Sequence, residues 1–314
     1  MMKNGLYTFV TAALLGAALT SCNSNDDAGA QAIEIPGITI EADADCCTAE
    51  EALQVYNFVQ TVKIVPELTT VVDGKYQVFA YTHGGTFHTG YNAVYFVATK
   101  KSSGNYVKDF SISALTPLMF MEKMNMKHST PVSDGVEGFD GSIPAVKRGW
   151  VSFVMDGQWT LDYQVRVLGA GGSRSASLDV APLAGGQQWV KSFKVGTATY
   201  YLSLVDPTDW LTGSNEIRAY ISQKSSVATE PYTAAGEQFV VEIDPRMPDM
   251  GNHTSPDNTP LTRQADGSYR GNINLTMTGL WRIHLTVKDT AGNVVAGGDD
   301  LADGYSSLYW EVTI

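Results

Sequence analysis

One stretch of this chain occurs twice, and that repeat constrains the fold more than any other feature. Residues 153–165 (FVMDGQWTLDYQV) align with residues 275–287 (LTMTGLWRIHLTV), so that Met, Gly, Trp and Val recur at fixed positions. Upstream of each copy, the pattern Thr-Gly-x-Asn recurs at residues 89–92 and 212–215. Internal repetition on this scale indicates one structural module built twice.

The modules are predicted to be all-β. Short apolar runs with alternating polarity are separated by Gly, Asn and Asp turns, a pattern typical of β-sandwiches. We therefore predict two tandem immunoglobulin-like β-sandwich modules, residues 62–182 (the first module) and 183–314 (the second module), each within the usual domain size.

The segment before the modules, residues 22–61, is predicted to be a polar tether ending in a short helix. Thr48-Ala-Glu-Glu51 has the form of a capping box and predicts a helix through about residue 60. A strand over residues 55–65 is the alternative.

The N-terminus resembles that of a bacterial lipoprotein. Residues 1–21 read as a signal peptide, and Leu19-Thr-Ser-Cys22 is similar to a lipobox. This resemblance implies acylation of Cys22 and a lipid anchor in the cell envelope, as an outer-membrane lipoprotein facing the periplasm or the surface. The polar residues 23–27 resemble the surface-export tether of some Bacteroidetes lipoproteins. A plain secretory signal with an incidental Cys22 is the alternative.

Composition and motifs narrow the function classes. The formal net charge of −12 argues against binding to nucleic acid, which needs a basic surface. The sequence contains no GxSxG elbow, HExxH motif or P-loop, and scattered carboxylates nominate no glycosidase pair. We predict a binding protein and no enzyme.

Loops rich in Met and His are the strongest chemical signal. They precede the repeated Trp in both copies and comprise Met121, Met124, Met126 and His128 in the first module, and Met247, Met250 and His253 in the second. Met119 is a further thioether in the first loop. Thioether and imidazole ligands favour Cu(I) over harder ions, so each loop is a candidate copper site. Adaptable packing by flexible methionines is the alternative.

The motif order adds a family resemblance. Thr-Gly-x-Asn, then Met-x-x-Met-x-x-His, then Φ-x-Met-x-Gly-x-Trp resembles the YtkA-like family and its FixH-like relatives. The second copy matches best, although Asn252 stands where a second His is typical. The resemblance implies envelope β-sandwich modules that handle copper for storage, tolerance or delivery. It also implies an envelope cuproenzyme or a copper exporter as partner.

Two further residue pairs are secondary metal candidates. His83 and His88 flank a Gly-containing loop and are candidate ligands for Cu(II) or Zn(II), with ordinary turn histidines as the alternative. Cys46 and Cys47 are adjacent, and a vicinal disulfide, pairing between chains and metal binding all remain open.

The repeated aromatic residues are predicted to be structural. Trp159 and Trp281 lie on the inward phase of alternating strands, and Met155 and Met277 are expected in the same cores. His284 lies on the opposite phase and is expected to be solvated.

A second function class competes with copper handling. Surface-displayed tandem β-sandwiches also bind glycans or proteins without catalysis. Four tryptophans have no counterpart in the other copy and are candidate exposed aromatic platforms: Trp150, Trp189, Trp210 and Trp310.

Overall fold

The structure is a computed structural model that describes residues 32–35, 38–42, 46–141, 143–298 and 305–314. The prediction of an all-β fold is confirmed, because β-sheets with mostly antiparallel pairing form both modules. Within the described residues, no helix is both long enough and apolar enough to cross a membrane.

In the described part of the N-terminal segment, a β-hairpin and a helix pack on the first module. The hairpin is β1 (Ile33–Ile35) and β2 (Ile38–Ile40), and the helix is α1 (Ala49–Val59). The Thr48 hydroxyl accepts the Glu51 N–H at 3.3 Å, and the Glu51 carboxylate accepts the Thr48 N–H at 3.0 Å. The capping box is therefore formed, the helix prediction is confirmed, and the alternative of a strand over residues 55–65 is wrong.

The first module is a sandwich of two sheets. Its strands are β3 (Lys63–Ile64), β4 (Thr70–Val72), β5 (Tyr76–Thr82), β6 (Phe87–His88), β7 (Gly90–Lys100), β8 (Tyr106–Val107), β9 (Phe110–Ile112), β10 (Thr116–Met121), β11 (Met126–His128), β12 (Glu137–Asp140), β13 (Ile143–Phe153), β14 (Gly157–Val167) and β15 (Ala170–Ala181). One sheet has the order β12-β13-β7-β5-β3, and the other has the order β11-β10-β14-β15-β6.

The second module folds one continuous sheet around its core. Its strands are β16 (Val190–Val195), β17 (Ala198–Asp206), β18 (Gly213–Gln223), β19 (Thr233–Ala234), β20 (Val240–Met247), β21 (His253–Thr254), β22 (Thr259–Arg263), β23 (Tyr269–Leu275), β24 (Leu280–Lys288), β25 (Val294–Gly297) and β26 (Tyr309–Thr313). The strand order is β16-β17-β18-β23-β22-β20-β24-β25. Strand β22 pairs with both β23 and β20 and so joins the two layers.

The repeated tryptophans anchor the two cores, as predicted. Trp159 is 1% exposed and Trp281 is fully buried. Each indole N–H donates to a backbone carbonyl four residues earlier, that of Met155 at 3.1 Å and that of Met277 at 3.0 Å. Burial of a large ring whose polar N–H is satisfied explains why Met-x-Gly-x-Trp recurs.

The repeated glycines make room for a methionine. Gly157 and Gly279 have φ of 118° and 129°, a region that side chains disfavour. A Cβ on Gly157 would lie 3.2 Å from the Met119 Cε, and one on Gly279 would lie 2.9 Å from the Met247 Cε. The Met methyl group thus occupies the space that the glycine leaves in each module.

The repeated Asn residues close a loop in front of the next strand. The Asn92 side-chain amide accepts a hydrogen bond from the backbone N–H of His88 and donates one to the His88 carbonyl. The Asn215 side chain makes the same two hydrogen bonds with the backbone of Leu211. Since both side chains are buried and satisfied by backbone groups, the Thr-Gly-x-Asn motif is a structural element.

Two predictions about side-chain burial are wrong. Met155 is 38% exposed, because it lies in the turn between β13 and β14, outside the alternating phase of either strand. His284 is only 5% exposed, because the rings of Tyr305 and Tyr309 cover it and its Nδ1 lies 2.6 Å from the Ser306 carbonyl oxygen.

The modules dock through the outer faces of β7, β13, β17 and β18. The Tyr220 ring stacks on Trp150 at 4.7 Å and on Tyr91 at 6.1 Å between ring centroids. The buried hydroxyl of Ser152 donates to that of Ser203 at 2.8 Å. Together these contacts bury aromatic and polar groups of both modules, which holds the modules in one arrangement.

Backbone hydrogen bonds reinforce this interface. The N–H of Val132 donates to the carbonyl of Tyr232 at 3.0 Å, and the N–H of Tyr232 donates to the carbonyl of Thr130 at 3.1 Å. Nearby, the Ser129 N–H donates to the Ala228 carbonyl at 3.1 Å. These bonds place the loop after β18 along the segment that follows β11.

Candidate functional sites

A cleft of about 600 Å³ opens beside the module interface. Its walls come from β5, β6, β7 and β13 of the first module, from the segment that connects the modules, and from β17 and β18 of the second. This volume falls in the range of small-molecule sites, which lie preferentially at domain interfaces.

Aromatic side chains form one part of the cleft wall. Tyr91, Tyr95 and Trp189 line it, and the Tyr91 ring is fixed by its stacking on Trp150 and Tyr220. Burial raises the pKa of the Tyr91 and Tyr95 phenols above the ordinary value, so both hydroxyls remain protonated at neutral pH. The wall thus combines apolar ring surface with neutral hydroxyl groups.

Charged side chains from both modules form another part. Arg148 comes from β13, and Arg218 and Asp206 come from β18 and β17. An Arg218 Nη2 lies 2.5 Å from an Asp206 carboxylate oxygen. The Arg148 guanidinium lies over the Phe139 ring at 5.7 Å, and no ion pair among the described residues includes Arg148.

Some donors along the cleft have no acceptor. The Nε of Arg218 and the Nε1 of Trp189 are buried and unpaired in the described part of the chain. A buried donor without a partner costs about 1–3 kcal/mol, and because both atoms are shielded from solvent, neither offers a hydrogen bond to a ligand in the open cleft.

His83 and His88 both line the same cleft. The His88 Nδ1 lies 2.8 Å from the Thr89 carbonyl oxygen, and the His83 Nε2 lies 3.4 Å from the Tyr95 hydroxyl. No group of three or more His, Cys, Asp or Glu side chains in the described ranges is placed to hold a metal ion.

The first Met/His loop is a β-hairpin formed by β10 and β11. Met119 pairs with His128, and Met121 pairs with Met126. Since alternate residues of a strand share a face and directly opposed residues are neighbours, these four side chains lie on one face of the hairpin. Met124 lies in the 3-10 turn at the tip and is 57% exposed.

His128 has an unusual environment on this hairpin. Its ring packs edge-on against Trp159 at 5.1 Å, and its Nδ1 lies 3.0 Å from the Ser129 carbonyl oxygen. Its Nε2 is buried and has no hydrogen-bond partner among the described residues. The other donors differ in access, because Met119 is 7% exposed, Met121 is half-buried and Met126 is exposed.

The second loop is the corresponding hairpin of β20 and β21. Met247 pairs with His253, and Gly251 and Asn252 turn the chain with positive φ. Met247 is buried in the core, whereas Met250 and His253 are exposed. The three predicted ligands of the second module therefore differ widely in burial.

Strand register shows which residues of the two hairpins correspond. Pro117 and Pro245 pair with Leu161 and Ile283, which are equivalent positions of the repeat. Counting from each proline, Met119 matches Met247, and their partners His128 and His253 also match. The shared spacing Pro-x-Met is the sequence signal that identifies Met119 as the equivalent of Met247.

The remaining predicted site residues are the cysteines and the tryptophans that have no counterpart in the other copy. Cys46 and Cys47 are buried and joined to each other in a disulfide, so in this form they offer no thiolate to a metal. Trp150 and Trp310 are buried, which contradicts their role as exposed platforms, while Trp189 and Trp210 are half-buried. Cys22 and the predicted signal peptide lie outside the described residues.

The residues that line the cleft were mostly missed from the sequence. Tyr91, Arg148, Asp206 and Arg218 come from different strands of two modules, and they meet only because the modules dock. No local sequence motif predicts that these residues lie together.

Comparisons with known proteins give no family. No family model matches the chain, and no curated protein matches it. Similar solved structures include the adhesin InvE of Yersinia pseudotuberculosis, with 12% identity over 73% of this chain and 55% of that chain, at a TM-score of 0.20. Domains 5-6 of the S-layer protein SbsC share 10% identity over 73% of this chain and 94% of that chain, at a TM-score of 0.23.

A third similar structure was solved with a bound glycan. It is SGBP-B from the mixed-linkage glucan utilization locus of Bacteroides ovatus, in complex with a mixed-linkage heptasaccharide. It shares 14% identity over 80% of this chain and 47% of that chain, at a TM-score of 0.18. The chain thus spans about half the length of InvE and SGBP-B. TM-scores this low do not carry an argument about this chain.

Proposed function

We propose that this protein is a non-catalytic binding protein of the bacterial cell envelope, and that it holds a glycan in the cleft between its two sandwich modules. The observation that carries the proposal is the cleft itself, where fixed aromatic rings, phenol hydroxyls and guanidinium groups face a space of about 600 Å³. Ligand sites combine apolar ring surface with a few directed polar groups in this way.

A blocked cleft tests this proposal. Ala184 is exposed at the cleft wall, so Ala184→Trp fills the space without disturbing a core. Ser177→Trp, at an exposed position of β15 outside the cleft, is the matched control. The wild-type full chain and both variants are assayed on an array of neutral and acidic polysaccharides.

We expect the wild type and Ser177→Trp to bind the same glycan and Ala184→Trp to lose that binding. Equal binding by all three proteins would place the glycan site elsewhere. Absence of binding to every glycan by the wild type would overturn the proposal, and a protein ligand would then replace the glycan as the candidate.

The envelope location of the proposal rests on the lipobox-like sequence around Cys22. A thiol is needed for acylation, so Cys22→Ala is expected to abolish labelling by a fatty-acid analogue in the producing cells. Equal labelling of wild type and variant would contradict the lipid anchor.

Cu(I) binding by the β10–β11 hairpin is a second candidate function. It rests on the resemblance to the YtkA-like family and on one specific observation: the unpartnered Nε2 of His128 shares a hairpin face with the thioethers of Met119, Met121 and Met126. An imidazole nitrogen beside soft sulfur donors matches the preference of Cu(I). The second hairpin fits less well, because only Met247 lies opposite His253 and the other methionine, Met250, is exposed at the tip.

An anaerobic Cu(I) titration against a competing chelator tests this candidate. His128→Ala and the double variant Met121→Leu/Met126→Leu are expected to lose Cu(I), because Leu conserves apolar volume but offers no sulfur. Met277→Leu, which removes a half-buried methionine that is not a candidate ligand, is the control and should bind as the wild type does. Failure of the wild type to hold Cu(I) would exclude a copper function.

A further inference from the structure

Guanidinium groups outnumber carboxylates among the described residues that line the cleft. The protein has a formal net charge of −12, yet the described residues along the cleft include the guanidinium groups of Arg148 and Arg218 and only the carboxylate of Asp206. The cleft is therefore a local positive site on an acidic protein, which attracts anions and orients them.

The two arginines have different environments. Asp206 neutralises Arg218 and fixes its position through the contact at 2.5 Å. The Arg148 guanidinium lies over the Phe139 ring at 5.7 Å and makes no ion pair with any described residue, although Glu137 is its cross-strand neighbour on β12. The planar fork of Arg148 is thus available to a carboxylate, which guanidinium binds with paired hydrogen bonds.

The neighbouring rings define the rest of the ligand. Arg148 is close enough to Tyr91 and Tyr95 to lower the pKa of both phenols, although burial outweighs this effect. An anion held by Arg148 therefore lies beside aromatic surface and phenol hydroxyls, which together match the apolar face and the hydroxyl groups of a sugar ring.

We infer that the cleft binds an acidic saccharide, whose sugar carboxylate pairs with Arg148 while the ring lies against the aromatic wall. This inference rests on the proposed glycan-binding function and specifies the class of its ligand. Arg148 is the specificity-determining residue, because it separates carboxylate-bearing sugars from neutral sugars of the same shape.

Pairs of saccharides that differ only in charge test the inference. The probes are oligogalacturonate, hyaluronan oligosaccharides and mannuronate oligosaccharides, each compared with its methyl ester by isothermal titration of the full chain. The variants are Arg148→Gln and, as matched control, Arg166→Gln, which removes the same charge at an exposed position of β14.

We expect at least one acid to bind about tenfold or more tightly than its ester, because an ion-paired hydrogen bond is roughly twice as strong as a neutral one. Arg148→Gln should remove this preference, and Arg166→Gln should retain it. Thermal unfolding of each variant identifies any loss of affinity that follows from misfolding.

The contrary outcomes separate this inference from the function on which it rests. Equal affinity for acids and esters, with Ala184→Trp blocking both, would overturn the acidic class and leave glycan binding in place. Preference for the acid that survives Arg148→Gln would also overturn it, as would competition by polyglutamate at equal strength. If no acid binds, the inference is wrong whatever the neutral glycans do.

Discussion

Replacing Tyr220 by Ala should loosen the docking of the two modules. The Tyr220 ring makes stacked contacts with Trp150 at 4.7 Å and with Tyr91 at 6.1 Å across the interface. Aromatic pairs contribute roughly 0.5–1.5 kcal/mol each beyond the area that they bury, so losing two pairs costs about 1–3 kcal/mol of docking free energy. Tyr220→Phe keeps the ring and is expected to cost much less.

Amide hydrogen exchange measures this loss of docking free energy at individual N–H groups of the interface. The N–H groups of Val132 and Tyr232 donate across the interface and exchange when the modules separate. A loss of about 1–3 kcal/mol should speed their exchange by roughly 5–150-fold, since each ~1.4 kcal/mol is a factor of ten. The N–H of Leu285, which donates to Leu308 within the second module, serves as the internal control.

The outcome distinguishes docking from global stability. Faster exchange at Val132 and Tyr232 with unchanged exchange at Leu285 is the expected result for Tyr220→Ala. Unchanged exchange at all three amides would refute the stacking argument. Equal acceleration at Leu285 would show that the modules unfold together, without an independent undocked state.

Three further perturbations test the fold. Gly279→Ala should destabilise the protein by ~2 kcal/mol or more in urea, because its φ is positive and its Cβ would meet the Met247 methyl group, whereas Gly236→Ala in open space should change little. Thr48→Ala should cost about 1 kcal/mol and reduce helical circular dichroism by loss of the capping box. Burial tends to raise the pKa of Asp266, but hydrogen bonds from the nearby serine and arginine outweigh it and lower that pKa. Because the pKa of Asp266 is lower in the folded than in the unfolded protein, its ionised carboxylate stabilises the fold above the ordinary Asp pKa. This stabilisation is lost as the pH falls through the folded pKa. The urea midpoint of Asp266→Asn should therefore depend less on acid pH than that of the wild type.

The sequence predicted those parts of the fold that depend on local pattern. Alternating polarity around Trp159 and Trp281 placed both rings in a core, and the capping box at Thr48 identified the helix. The prediction that His284 is solvated was wrong, because its burial depends on Tyr305 and Tyr309, which are distant in the chain and cover its face of the sheet.

The candidate sites were less predictable for the same reason. Motif spacing located both Met/His hairpins, but the burial of Met119 and Met247 depends on how each hairpin packs on its core. The cleft depends on how the two modules dock, and no sequence pattern around Arg148 or Arg218 indicates that both line one cleft.

The central claim, that the inter-module cleft is the ligand site, is tested most directly by hydrogen-exchange mass spectrometry of the full chain with and without the glycan that binds best on the array. The account predicts slower exchange in the segments 82–95, 183–189 and 204–208 and at Arg218, which contain the residues that line the cleft. Protection confined to other surfaces, such as the β10–β11 hairpin, with no change along the cleft, would contradict it.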